Sequence, residues 1–184
     1  MADNKNILFA GALLIGALFL AKKFMPKKPG LGRPGNNAAH LATLHPQYKD
    51  RFLRFYNLLV RAGYNPQINS SYRDFNKQAE LKRQDRRNAA PGLSHHNYGL
   101  ALDIQLLKNG KVYGKNTPPA EWIKTGLIKA ANNYGLAWGG LFPGYPDSVH
   151  FYINIPTEKL QQMAFKQFKT TNPKLIQGNQ VKIV

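Results

Sequence analysis

The 184-residue chain contains no cysteine. That absence removes disulfides, thiolate metal ligands and cysteine nucleophiles together, so any transition metal must be held by His, Asp or Glu. Acidic residues are scarce as well: nine Asp and Glu stand against 26 Lys and Arg, for a net charge of +17. Such an imbalance favours a polyanionic partner, whether nucleic acid, anionic lipid or an anionic wall polymer. The basic residues recur along the whole chain without a dense tail or stripe. No recognition motif or aromatic-basic platform accompanies them, so no specific nucleic acid is expected as a partner, and no obligate protein partner is evident.

An uninterrupted apolar run of the roughly 20 residues that normally cross a bilayer is also missing. The longest candidate is Ile7 to Ala21, fifteen residues without a charge, preceded by Lys5 and followed by Lys22, Lys23, Lys27 and Lys28. Snorkelling lysines and Phe24-Met25 extend it enough for a single transmembrane helix. Asp3 opposes Lys5, and no small-x-small cleavage site precedes the lysines, which argues against a secretory signal peptide. Residues 1–25 are therefore expected to be a membrane anchor and 26–37, rich in Pro, Gly and Asn, a linker. A domain over 38–170 and a C-terminal tail over 171–184 complete the expected layout. The lysines after the apolar run would set the C-terminal side in the cytoplasm.

Within the domain, Phe52, Phe55, Tyr56 and Leu59 recur at helical spacing over Pro46 to Ala62, closed by Gly63. Gln67 to Tyr72, Gly99 to Leu107 and Val149 to Ile155 read as strands, with Asn109-Gly110 as a hairpin turn. Further helices are predicted over Phe75 to Arg87, over Pro118 to Tyr134 and from Thr157 onward, the last with Leu160, Met163, Ala164 and Phe168 inward. Short strands and helices alternate without a long βαβ series, so an α+β fold is expected.

The chain has five histidines, and chemistry-bearing residues concentrate in two short stretches. One runs from Ser94 through His95, His96 and Gly99 to Ala101 and Asp103; the other is Asp147-Ser148-Val149-His150. A hydrolytic zinc site needs three protein ligands, an open position and a further carboxylate as general base. His96, Asp103 and His150 could be the ligands and Asp147 the base. Taken singly, each has a plainer reading: a lone His is more often structural, and Asp147 after Gly144-Tyr145-Pro146 could merely start a turn. His40 and His45 lie near the linker and read as surface residues.

The order of these residues is more informative than any one of them. Ser94, His96, Gly99, Ala101 and Asp103, followed by Asp147 and His150, form Ser-x-His-x-x-Gly-x-Ala-x-Asp and Asp-x-x-His. Ser70-Ser71-Tyr72-Arg73 precedes them, and Gly135-Leu136-Ala137-Trp138-Gly139-Gly140 lies between. The set resembles peptidase family M15, the VanY-like zinc D-alanyl carboxypeptidases and L-alanyl-D-glutamate endopeptidases, over about Leu44 to Ile155. The resemblance implies the LAS-type fold, a small antiparallel sheet flanked by helices, and zinc as cofactor. It implies His96, Asp103 and His150 as ligands, Asp147 as base, and Arg73 as donor to a substrate carboxylate or oxyanion. Ser94 and Trp138 join Arg73 as expected substrate-side residues, while His95 falls outside the motif. Tyr152, and Leu141 to Gly144, depart from the family pattern.

The expected function is thus hydrolysis of a peptidoglycan stem-peptide bond, L-alanyl-D-glutamate foremost, by a phage virion-associated or membrane-tethered lysin. A D-alanyl-D-alanine carboxypeptidase is the alternative within the class. A non-catalytic basic protein gripping wall or membrane is the alternative outside it.

Overall fold

The computed structural model describes residues 36–184. The expected anchor, and all of the expected linker but Asn36 and Asn37, lie outside the described residues. Helix α1 (Asn37–Ala42) opens the domain, its N-terminus capped by Asn36, whose side-chain oxygen accepts from Ala39 N at 3.0 Å. Helix α2 (Lys49–Arg61) follows and buries Phe52, Phe55 and Leu59, three of the four residues picked out by spacing.

Strand β1 (Asn65–Ser70) pairs antiparallel with β2 (Ala101–Lys108), which also pairs with β3 (Lys111–Tyr113) and β5 (His150–Tyr152). Strand β4 (Ala137–Trp138) pairs with β5, completing a five-stranded sheet. Alternation along β2 sends Leu102, Ile104 and Leu106 into the core and turns Asp103 and Gln105 the other way. The core packs aromatic rings closely: Phe151 lies 4.9 Å from Phe55 and 6.1 Å from Trp122 between ring centres. The α+β expectation holds for this sheet and the helices flanking it.

The predicted helix over Pro118 to Tyr134 is two helices, α4 (Pro119–Lys124) and α5 (Leu127–Asn133). Gly126 adopts φ +74° between them, a left-handed conformation that ends the first helix. The Thr125 hydroxyl then accepts from Leu127 N at 3.1 Å and starts the second. Helix α3 (Phe75–Gln84) stops short of Arg87, and α6 (Thr157–Phe168) buries Leu160 and Ala164.

His45, read as a surface residue, is buried; its Nε2 donates to the Val181 carbonyl at 2.7 Å. Ile176, Gly178 and Val181 are themselves buried, so the segment set apart as a tail packs into the domain at these three points. Among the described residues, no helix is long and apolar enough to cross a membrane.

Candidate active site

Strand register assembles the site. Asp103 on β2 stands opposite His150 on β5 and opposite Ser70 on β1. Directly opposed residues of antiparallel strands share a face, so Asp103 and His150 meet although 47 residues separate them. His96 comes from a 3-10 turn, His95–Tyr98, closed by Gly99 at φ +65°. Asn97 locks that turn: its Nδ2 donates to Arg73 O at 2.8 Å and its Oδ1 accepts from Gly92 N at 2.9 Å.

One ligand atom from each of His96, Asp103 and His150 falls within 4.8 Å of the other two. His96 Nδ1 donates to the Ser71 carbonyl at 2.6 Å, which fixes its proton on that nitrogen. Neutral His96 therefore faces Asp103 Oδ1, 3.1 Å away, with a bare lone pair on Nε2. His150 Nδ1 converges on the same oxygen at 2.9 Å. Two imidazole nitrogens converging on one buried carboxylate oxygen make a place suited to a cation, and burial lowers the His96 pKa, so a proton on its Nε2 is costly. Two imidazoles and a carboxylate suit Zn²⁺, with a fourth position left open. Burial alone would raise the Asp103 pKa, but the two imidazoles carry it well below the usual carboxylate range.

Asp147 is placed by a turn: its N–H donates to Gly139 O at 2.9 Å and its carbonyl accepts from His150 N at 3.1 Å. Its Oδ1 is buried with no hydrogen-bond partner among the described residues. Burial first and the charge of Asp103 second push its pKa up. A desolvated carboxylate lacking a partner beside a metal-ligand cluster is suited to take a proton from water.

Arg73 follows β1. It donates from Nη1 to Gln78 Oε1 at 2.8 Å and from Nη2 to Ser70 Oγ at 2.9 Å, and stands 3.7 Å from Asp103 Oδ2. A cleft of about 520 Å³ opens over these groups, and Arg73, Ser94, His96, Asp103, Asp147 and His150 all line it.

Trp138 does not line the cleft, contrary to its expected substrate role. It is buried, and its indole N–H donates to Ser148 O at 2.8 Å, which braces the turn carrying Asp147. The glycines after it are spatial necessities: a Cβ at Gly139 would fall 2.9 Å from His150 Cβ and from Asp147 O.

Residues 87–153 match the family model described as D-alanyl-D-alanine carboxypeptidase, within peptidase M15. That match takes in His96, Asp103, Asp147 and His150. The chain is 29% identical over 121 residues to the peptidoglycan L-alanyl-D-glutamate endopeptidase CwlK of Bacillus subtilis (strain 168), covering 58% of this chain and 71% of that one. Among solved structures it is similar to the L-Ala D-Glu endopeptidase ChiX of Serratia marcescens (20% identity, TM-score 0.49, 75% of this chain and 93% of that one). It is also similar to the vancomycin-resistance D,D-pentapeptidase VanY, solved in complex with Zn(II) (18% identity, TM-score 0.46, 65% and 78%).

The two departures from the M15 pattern prove to be neighbours. Tyr152 and Phe142 have ring centres 5.5 Å apart, and both flank His150, at 5.2 and 5.7 Å. His95 completes this aromatic wall, 4.5 Å from Tyr152, with Nε2 donating to Ile155 O at 2.9 Å. Burial, with His150 second, pushes the His95 pKa down to about 4, so it stands as a neutral wall residue outside the ligand cluster. Arg87, Lys115 and Tyr145 also line the cleft and were not among the expected site residues. They come from three separate loops, and no local pattern marks them.

Proposed function

We propose that this domain is an M15-type, zinc-dependent peptidoglycan endopeptidase that hydrolyses a stem-peptide bond, the L-alanyl-D-glutamate bond. The observation that carries the reading is the convergence of His96, Asp103 and His150 beside the orphaned Asp147 carboxylate. Held by those three residues, zinc would supply the Lewis acidity that activates water and polarises a carbonyl. Asp147 accepts the proton of the attacking water and returns it to the amine nitrogen as the C–N bond breaks. Arg73, fixed by Gln78 and Ser70, presents its remaining N–H donors to the developing oxyanion. Ser94, which lines the cleft just before the histidine turn, bounds the space available to the peptide.

CwlK supports the endopeptidase over its sister activity, while the family model's description supports a D-alanyl-D-alanine carboxypeptidase. Both readings use the same zinc residues. The test is digestion of purified peptidoglycan by the zinc-loaded full chain, with mass spectrometry of the products. New L-alanine and D-glutamate ends that vanish with chelator, and with Asp147→Ala, are expected. Release of free D-alanine alone would replace the reading with the carboxypeptidase.

The proposal includes a place of action. Residues 1–25 would tether the domain as a single-pass anchor, in the membrane of a phage virion that later meets the host wall. The uncharged run Ile7 to Ala21 and the lysines around it support this. Extraction of the full chain from membranes by carbonate alone would refute the anchor.

A further inference from the structure

Three cations line the cleft: Arg73, Arg87 and Lys115. Two are committed within the protein. Arg73 is bound to Gln78 and Ser70 and lies beside Asp103. Arg87 makes a two-pronged pair with Asp85, Nε to Oδ1 at 3.0 Å and Nη2 to Oδ2 at 2.7 Å. Among the described residues, no carboxylate comes within ion-pair distance of Lys115.

Lys115 is nonetheless held in place. Its ammonium lies 5.8 Å from the centre of the Tyr145 ring. The Arg87 guanidinium sits over the same ring at 4.8 Å. Tyr145 thus gathers two cations from two other loops at the cleft, and one of them lacks an anion.

The position of that cation suggests what it meets. Lys115 lines the same cleft as Asp147, the residue that serves as base. The base must reach the leaving nitrogen, so a cation there addresses the residue that leaves.

We infer that Lys115, oriented by Tyr145, is a specificity residue that pairs with a free carboxylate on the leaving residue of the peptide. The inference rests on the stem-peptide reading above and deepens it. In a D-glutamate joined to the next residue through its side-chain carboxyl, the α-carboxylate sits on the carbon bearing the leaving nitrogen. Amidation of that group to D-isoglutamine removes the charge and leaves the shape nearly unchanged.

The two peptides make the test. The zinc-loaded full chain, in detergent, is given stem peptides that differ only in carboxylate or amide at that position. Wild type is expected to favour the carboxylate in kcat/KM by about twofold to fivefold, the upper range of an exposed ion pair. Lys115→Met brings that ratio close to one, and Lys115→Arg keeps most of it. Tyr145→Phe lowers the ratio by a smaller factor, through KM, at unchanged melting temperature. Binding of both peptides to the zinc-loaded Asp147→Asn variant reads the same preference without turnover. A ratio equal in wild type and Lys115→Met, in cleavage or in binding, overturns the inference. If neither peptide is cut while the binding preference still depends on Lys115, the endopeptidase reading falls and the carboxylate site stands.

Discussion

Gly99 and Gly110 share a left-handed backbone, φ +65° and +77°, in very different surroundings. An alanine Cβ at Gly110 would meet nothing within 4 Å, so its cost is conformational only, about 1 kcal/mol. At Gly99 the same carbon would fall 2.7 Å from His45 N, 3.0 Å from Thr43 O and 3.2 Å from Leu44 C. These are backbone atoms of one segment, and that segment cannot simply retreat, because His45 N donates to Gly99 O at 2.9 Å. Overpacking of this kind adds about 1–3 kcal/mol to the conformational cost. Gly99→Ala should therefore unfold about 2–12 °C below Gly110→Ala, at roughly 2–4 °C per kcal/mol for a chain of this size. Gly99 also closes the turn that carries His96, its N–H donating to His96 O at 3.2 Å. Zinc affinity should fall with stability in Gly99→Ala and not in Gly110→Ala. Thermal unfolding of the chelated proteins and competition titration with a zinc indicator measure the two effects. Equal melting temperatures for the two variants would refute the close-approach argument.

At a hundred times its dissociation constant, zinc should add about 2.7 kcal/mol of stability to the wild type. Asp103→Asn should lose most of that gain and Asp147→Asn should keep it; loss of the zinc-induced shift in Asp147→Asn would make Asp147 a ligand. The pH dependence of the chelated protein carries a definite sign. Burial and Asp103 hold the Asp147 pKa above the usual carboxylate value, so its ionised form is the unfavourable one in the fold. Its contribution is best below the unfolded value of about 3.9 and worsens as pH rises through the folded value. Asp147→Asn should then be more stable than wild type at pH 7, with the advantage gone below about pH 3.9; a less stable variant at pH 7 would contradict this. Trp138→Phe leaves the buried Ser148 carbonyl without its donor, a loss of about 1–3 kcal/mol. Its KM should stay close to wild type, and a large rise in KM would return Trp138 to the substrate.

The convergence of His96, Asp103 and His150 was legible because its members are constrained locally. His96 and Asp103 are seven residues apart, a turn and the start of a strand, and Asp147 and His150 share one turn. With no cysteine and few carboxylates, little else in the chain could compete for the role. The amphipathic face of α2 was equally readable, since Phe52, Phe55 and Leu59 repeat at the helical period. His45 was not readable, because its partner is Val181, 136 residues away, and no local pattern announces such a bond. The Gly126 break is masked in the sequence because Ile123, Leu127 and Ala131 keep a helical spacing across it. Burial selects Leu127 and Ala131 yet leaves Ile123 exposed, so the apolar stripe does not continue through the break.

The same distinction separates the two layers of the site. Strand pairing brings Asp103 opposite His150, so the ligand geometry follows from backbone register, which short motifs can encode. Residues at the cleft's outer edge obey no such register. Arg87, Lys115 and Tyr145 reach the cleft from three loops and meet through a ring and two cations. Their encounter costs little sequence constraint, so each loop can change its residue without disturbing the cluster beneath. A cluster held by strands and a cleft edge carried by loops would let reaction and selectivity vary separately. In this chain Lys115, the cleft cation without a carboxylate partner, is where that selectivity should be sought.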